Sequence, residues 1–236
     1  MGMKESGNIG MIAAFRWEVS ALLHKATGVE RLGNERYRFS WRGRPVLLAI
    51  AGTGSENSCR TAREMIRESS LCGLVSIGFA GGLNGSIRAG ELVLAEEVID
   101  QISGERFPCD QALTPISSPH RGKLLSVPEV VSSASEKRSL GSFWNALAVD
   151  MESAGVGRAA REAGLPFGAV KSITDGSDHS LAIDFQRCRS QNGKLSFWRI
   201  LREAFRSPGG LRDLVRLTGN SRRAAGSLAL ALASVK

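Results

Sequence analysis

The chain has 236 residues, enough for one domain with a sizeable core and short for two, and its 42% hydrophobic and 23% charged content excludes a disordered or fibrous protein. The net charge of +8 is clustered: between Gln186 and Lys236 there are 11 Lys and Arg against 2 acids, Glu203 and Asp213, and the remainder is close to neutral. Cys59, Cys72, Cys109 and Cys188 form no CxxC pair, no secretory signal precedes the first apolar run, and no apolar stretch approaches the roughly 20 residues that span a bilayer, so a cytoplasmic protein with reduced thiols is expected.

After a polar leader, Met11 to Phe15 reads as a buried strand, and a short helix begins near Glu18. Arg36 to Trp41 and Pro45 to Ala51, joined at Gly43-Arg44, have the alternation and turn of a hairpin. Ser55 to Ser69 is expected to be helical; Leu74 to Gly78 and Glu91 to Ile99 read as strands separated by the glycine-rich segment 81–85. Leu124 to Val127, Ala146 to Val149 and Phe167 to Ile173 are short apolar runs typical of sheet interiors, with helices predicted over 132–140 and 152–164. Strands alternating with helices predict an α/β fold, a single three-layer domain whose twisted mixed sheet is flanked by helices. Ligands of such sheets collect at the carboxyl ends of strands, where Glu18, Ala80-Gly81, Met151-Glu152 and Thr174-Asp175 fall.

Taken singly these features are weak. Gly52-Thr53-Gly54 and Gly78 to Gly82 lack a Walker lysine and the GxGxxG spacing, and an acid at a strand end is more often a helix cap than a catalyst. Taken in order, Ala14 to Leu23, Ala51 to Gly54, Ile77 to Leu83, Ala148 to Glu152 and Lys171 to Asp178 resemble the nucleoside phosphorylase and nucleosidase superfamily, especially the bacterial methylthioadenosine/S-adenosylhomocysteine nucleosidases. The resemblance runs from Met11 to about Asp178, and it divides the chain into a catalytic domain over 11–185 and a basic helical extension over 186–236 packed on or near it.

What the resemblance implies is cleavage of the N-glycosidic bond of a purine nucleoside, with adenine as the base. That reaction builds positive charge on the ribosyl ring and negative charge on the departing base. Asp175 matches the residue that donates a proton to the base, and to do so it must hold that proton near neutral pH, which burial against an apolar wall would favour. Glu152 matches the acceptor of the ribose hydroxyls and Met151 the residue packed under the sugar. Glu18 matches the acid that activates water, although it also reads as a helix-start acid favoured by the macrodipole. Ala80, Gly81, Val130, Val131 and Thr174 fall beside the base, with valine where relatives carry a stacking aromatic. Asp150 has no assigned role.

The acceptor stays open between water and inorganic phosphate. The arginine and hydroxyl of the phosphate-dependent pattern are replaced by Ser76 and Phe79, and Arg16 is the only arginine near the first strand, which favours water. The carboxy-terminal segment resembles the hopanoid-associated phosphorylase branch, whose members act on adenosylhopane, a lipid-linked nucleoside. It places Leu195, Trp198, Leu201 and Phe205 on one helical stripe and Arg199, Arg202 and Arg206 on another, a pattern that suits either peripheral membrane contact or a helix covering its own core. No cofactor is implied, and His24, His120 and His179 are scattered without metal-ligand spacing. The resemblance also implies a homodimer or higher oligomer. A catalytically weak nucleoside-binding protein of the same fold is the alternative, whereas nucleic-acid binding lacks any recognised module.

Overall fold

The apolar run that begins at Ile9 is buried from end to end and forms β1 (Asn8–Ala13) in a computed structural model that describes residues 7–180 and 210–233. The chain then enters α1 (Arg16–Lys25), crosses β2 (Thr27–Gly33), β3 (Arg36–Trp41) and β4 (Arg44–Ile50), and turns into α2 (Ser55–Glu68). β5 (Leu71–Gly82), β6 (Leu92–Asp100) and β7 (Arg106–Pro108) follow, then a short 3-10 turn, β8 (His120–Ser126) and α3 (Ala134–Trp144). β9 (Ala146–Asp150), α4 (Ser153–Glu162), β10 (Phe167–Asp175) and α5 (Gly210–Ala233) complete the described elements. Of the extension, the stripes between Leu195 and Arg206 lie outside the described residues, as does Cys188.

The ten described strands all belong to one sheet, and β5 is its hub. It pairs in parallel with β1 and β10 and antiparallel with β9, while β9, β8, β6 and β10 pair in turn, so five strands close into a ring through β10 and β5. On the other side of β5 the sheet stays open, through β1 and β4 to the β3–β2 edge. One face is covered by α2 and α4, whose Cys59, Ala62, Met65, Val156, Ala159 and Ala160 share a core with Leu74, Val98 and Phe167. The other is covered by α1 and α5, where Val19, Leu22, Leu228, Ala229 and Leu232 meet Met11, Leu48 and Val75. These are the three layers expected.

Local chemistry explains most boundaries. α2 buries Ser58, Cys59, Ala62 and Met65, the spacing that puts side chains on one helical face. Ser133 caps α3 by accepting from the Glu136 amide, and Asn145 ends that helix in the left-handed region at φ 50°. The hairpin loop is Arg42-Gly43 rather than Gly43-Arg44, because a two-residue loop of this kind needs positive φ at both positions, here 52° and 72°. Gly81 and Gly82 are not loop: they extend β5 and pair with Val149 and Ala148. β2 and β7 are strands that no alternation foretells.

Candidate active site

Three acids arrive at the same end of the sheet from three different strand termini. Glu18 comes from the first turn of α1, directly after β1. Its Oε2 accepts hydrogen bonds from the amides of Ala14 (3.1 Å) and Phe15 (3.0 Å), and its Oε1 from that of Phe79 (3.3 Å). The helix-start role is therefore real, yet the same contacts fix the carboxylate against β5. Gly78 makes room for it: a Cβ there would lie 2.9 Å from Oε2, and φ of +137° is backbone that favours glycine.

Glu152 follows β9 and stands at the N-cap position of α4, but makes no capping bond. Its side chain turns away from the helix, with Oε1 accepting from Gly54 N (2.8 Å) and Oε2 from Met151 N (3.3 Å). Asp175 closes β10. The pairing of β10 with β5 slips by a residue between Ile173 and Asp175, and such a bulge re-aims side chains, which is how the consecutive Thr174 and Asp175 both face the cleft. Thr174 Oγ1 donates to Asp175 Oδ1 at 2.7 Å. Asp175 Oδ2 meets the buried ammonium of Lys137, not the expected apolar wall.

Every residue named from sequence lines this one cleft: Glu18, Ala80, Gly81, Val130, Val131, Met151, Glu152, Thr174 and Asp175. Phe15, Thr53 and Glu129, which sequence reasoning gave no role, line it too, as does Phe79, the residue in place of the phosphate-binding hydroxyl. The Thr53 hydroxyl is buried without a hydrogen-bond partner among the described residues. At the mouth, Trp17 stacks on Phe15 with centroids 5.5 Å apart and meets Phe79 edge-on at 5.1 Å, while remaining half exposed. Arg16 does not line the cleft; its guanidinium lies over the Tyr37 ring.

Beneath the cleft floor lies a second charge that the sequence displayed without a role. Lys171, buried in the middle of β10, sits 2.9 Å from Asp150 Oδ2. Asp150 also accepts from Ser126 Oγ (2.9 Å) and Ser153 Oγ (2.5 Å), and Ser153 Oγ lies 2.9 Å from Ser76 Oγ. Asp150 thus anchors Lys171, and Ser76 belongs to this buried network. Burial opposes the ammonium, but Asp150, Glu152 and Glu18 outweigh it and hold Lys171 above the ordinary lysine value. Burial likewise raises Glu18 above the usual carboxylate range, against the pull of Lys171 and three amides. Glu152 is pushed up to about 7 by burial, then by Asp150 and Glu18, with Lys171 and Gly54 opposing. Three carboxylates around one ammonium make a region that favours positive charge in whatever lies above it. Among the described residues no group of three His, Cys, Asp or Glu is placed to hold a metal.

A mixed sheet half closed into a ring, helices on both faces and an acid-lined cleft at the strand ends form the architecture of the nucleoside phosphorylases and nucleosidases. The chain belongs to the phosphorylase superfamily, whose family model matches residues 8–119 and 117–205. A 5'-methylthioadenosine/S-adenosylhomocysteine nucleosidase of Buchnera aphidicola is 25% identical over 236 residues, covering 87% of this chain and 94% of its own. The solved nucleosidase of that description from Neisseria meningitidis, in complex with methylthio-immucillin-A, superposes with a TM-score of 0.72 at 18% identity over 97% of both chains. A futalosine hydrolase of Helicobacter pylori gives 0.70 at 18% identity over 94% of both. At that identity the solved structures speak for the fold.

Proposed function

We propose that this protein cleaves the N-glycosidic bond of an adenine nucleoside, with water as the favoured acceptor. The observation that carries the reading is the convergence of Glu18, Glu152 and Asp175, from three separate strand ends, on one cleft. Glu152 accepts hydrogen bonds from the ribose hydroxyls, with Met151 under the sugar. Ala80, Gly81, Val130, Val131 and Thr174 surround the base, and Asp175 protonates it as the bond breaks. Glu18 orients and deprotonates the attacking water, and the Glu18, Asp150 and Glu152 cluster stabilises the cationic ribosyl group. This chemistry needs no cofactor. Water is favoured over phosphate because none of the described residues lining the cleft is an arginine or lysine, and Phe79 stands where the phosphate-dependent pattern has a hydroxyl.

The aromatic mouth of Phe15, Trp17 and Phe79 supports a substrate with an apolar 5'-substituent, of which adenosylhopane is the lipid-linked case. On that reading the protein is cytoplasmic, touches the membrane peripherally through its basic carboxy-terminal segment and works as a homo-oligomer.

Purified protein given adenosine, methylthioadenosine, inosine or adenosylhopane in vesicles, each with and without inorganic phosphate, tests all of this by released base and sugar product. Free adenine with unphosphorylated sugar in both conditions is expected. A strict phosphate requirement with a sugar 1-phosphate product would reverse the acceptor. Binding without any base release would leave the nucleoside-binding alternative.

A further inference from the structure

Lys137 and Lys171 are the largest fully buried side chains among the described residues, and Lys137 lies on α3 beside the proposed acid. An ammonium carries three hydrogens, and three acceptors meet this one: Asp175 Oδ2, the Gly176 carbonyl (3.3 Å) and the His179 carbonyl (3.0 Å). The remaining Asp175 oxygen, Oδ1, lies 2.7 Å from the Thr174 hydroxyl. Oδ2 is thus fixed by a charged donor shielded from water, while the Thr174 hydroxyl also reaches the Ala80 carbonyl (3.4 Å), so a proton on Oδ1 finds an acceptor in Thr174 Oγ1. The segment after Asp175 is tied to α3 at further points as well, by Ala134 N donating to Ser180 Oγ (3.0 Å) and by Arg138 donating to the Ser177 carbonyl (3.5 Å).

We propose that Lys137 is a positioning residue for proton donation by Asp175, an inference that rests on the nucleoside-cleavage reading above. In the step concerned, the Asp175 O–H bond breaks and an N–H bond forms on the purine. The glycosidic electron pair leaves with the base, which departs neutral, and the negative charge stays on the Asp175 carboxylate. That charge appears against the Lys137 ammonium, in a place where water does not screen the attraction. Lys137 therefore acts in the transition state, when the carboxylate develops, and touches neither sugar nor base.

A lysine that merely fastens the 175–180 segment to α3 would affect all substrates alike; one that acts through the acid would not. The test compares the adenine nucleoside with 4-nitrophenyl β-ribofuranoside, whose nitrophenolate leaves without a proton. Lys137→Met should lower kcat on the adenine nucleoside by about a hundredfold, the lower range for loss of acid catalysis, with KM little changed. The same variant should keep near wild-type turnover of the nitrophenyl riboside, and Lys137→Arg should recover part of the nucleoside rate. Lys137→Met combined with Asp175→Asn should be no slower than Asp175→Asn alone, since the second change has already removed the group Lys137 serves. That double variant also buries no unpaired carboxylate, so it keeps the comparison available where Lys137→Met alone fails to fold. Equal losses on both substrates, additive losses in the double variant, or an unimpaired Lys137→Met would each overturn the proposal while leaving the cleavage reading intact. A wild-type chain that releases base from no nucleoside overturns both.

Discussion

At Glu152, burial and two neighbouring carboxylates act in the same direction, and the result sets a pH dependence. With its carboxyl pushed up to about 7, Glu152 is protonated in mildly acid solution and ionised above that value. A carboxylate accepts from ribose hydroxyls more strongly than the neutral acid, so kcat/KM should rise through about pH 7, and Glu152→Gln should weaken that rise, leaving the part set by ionisation of Glu18. Stability should move the other way. A carboxyl raised in the folded chain holds its proton more tightly there, so the stability it contributes is present below the ordinary carboxylate range and is lost as pH climbs toward 7. Thermal unfolding at pH 5.5 and 7.5, in wild type and Glu152→Gln, measures that contribution as the difference between the two slopes. Asp175→Asn should lower turnover of the nucleoside by about 10²- to 10⁴-fold with modest loss of binding, and a fully active variant would remove Asp175 from the mechanism. The acids were legible because each stands at a strand end within a family-like segment. The two lysines were not given roles, for different reasons. Lys171 is a single charge inside the apolar run from Phe167 to Ile173, a signal that was visible; Lys137 sits among Ser135, Glu136 and Arg138, where a buried ammonium looks like any solvated helix residue.

Elements with one buried face could be read from the sequence, and elements without one could not. β3 buries Tyr37, Phe39 and Trp41 in strict alternation, and β4 is a continuous apolar run, so the hairpin was evident. β2 is exposed at all seven positions and carries no period for a pattern to reveal; only its pairing with β3 makes it a strand. Glycine runs mislead in the opposite sense, since Gly81 and Gly82 suggest a loop but permit close strand approach. A Cβ at Gly81 would stand 3.3 Å from Val149 and 3.6 Å from Asp175 Oδ2. Between helices the fit is tighter still. A Cβ at Gly155 of α4 would lie 2.0 Å from the Ser55 carbonyl oxygen at the start of α2, and 2.4 Å from Ser58 Oγ. Gly155→Ala must push the two helices apart, and should cost about 1–3 kcal/mol, read as a lower midpoint in urea unfolding. Because Gly54 and Glu152 flank that contact and are hydrogen-bonded to each other, KM for the nucleoside should rise as well.

Over the whole molecule, the described part of the basic carboxy-terminal segment is one helix, Gly210–Ala233. This helix, α5, is not an appendage: Ala224, Ala225, Leu228, Ala229 and Leu232 are buried, and the helix packs on α1 and β10. Asn220 Nδ2 of the same helix donates to the Thr174 carbonyl (2.8 Å), one residue from the proposed acid. The small and apolar spacing of residues 224–232 suits such burial. Leu228→Ala should destabilise the protein by about 2–5 kcal/mol, as fully buried leucines do, and Leu230→Ala, on the exposed side of α5, should cost much less in the same unfolding measurement. The contact between α1 and α5 joins the first described helix to the last. During synthesis, Val19 and Leu22 leave the ribosome some two hundred residues before the leucines that cover them. Contacts so distant along the sequence slow folding, and a chain that has not yet released α5 keeps an apolar face open to chaperones or to other nascent chains.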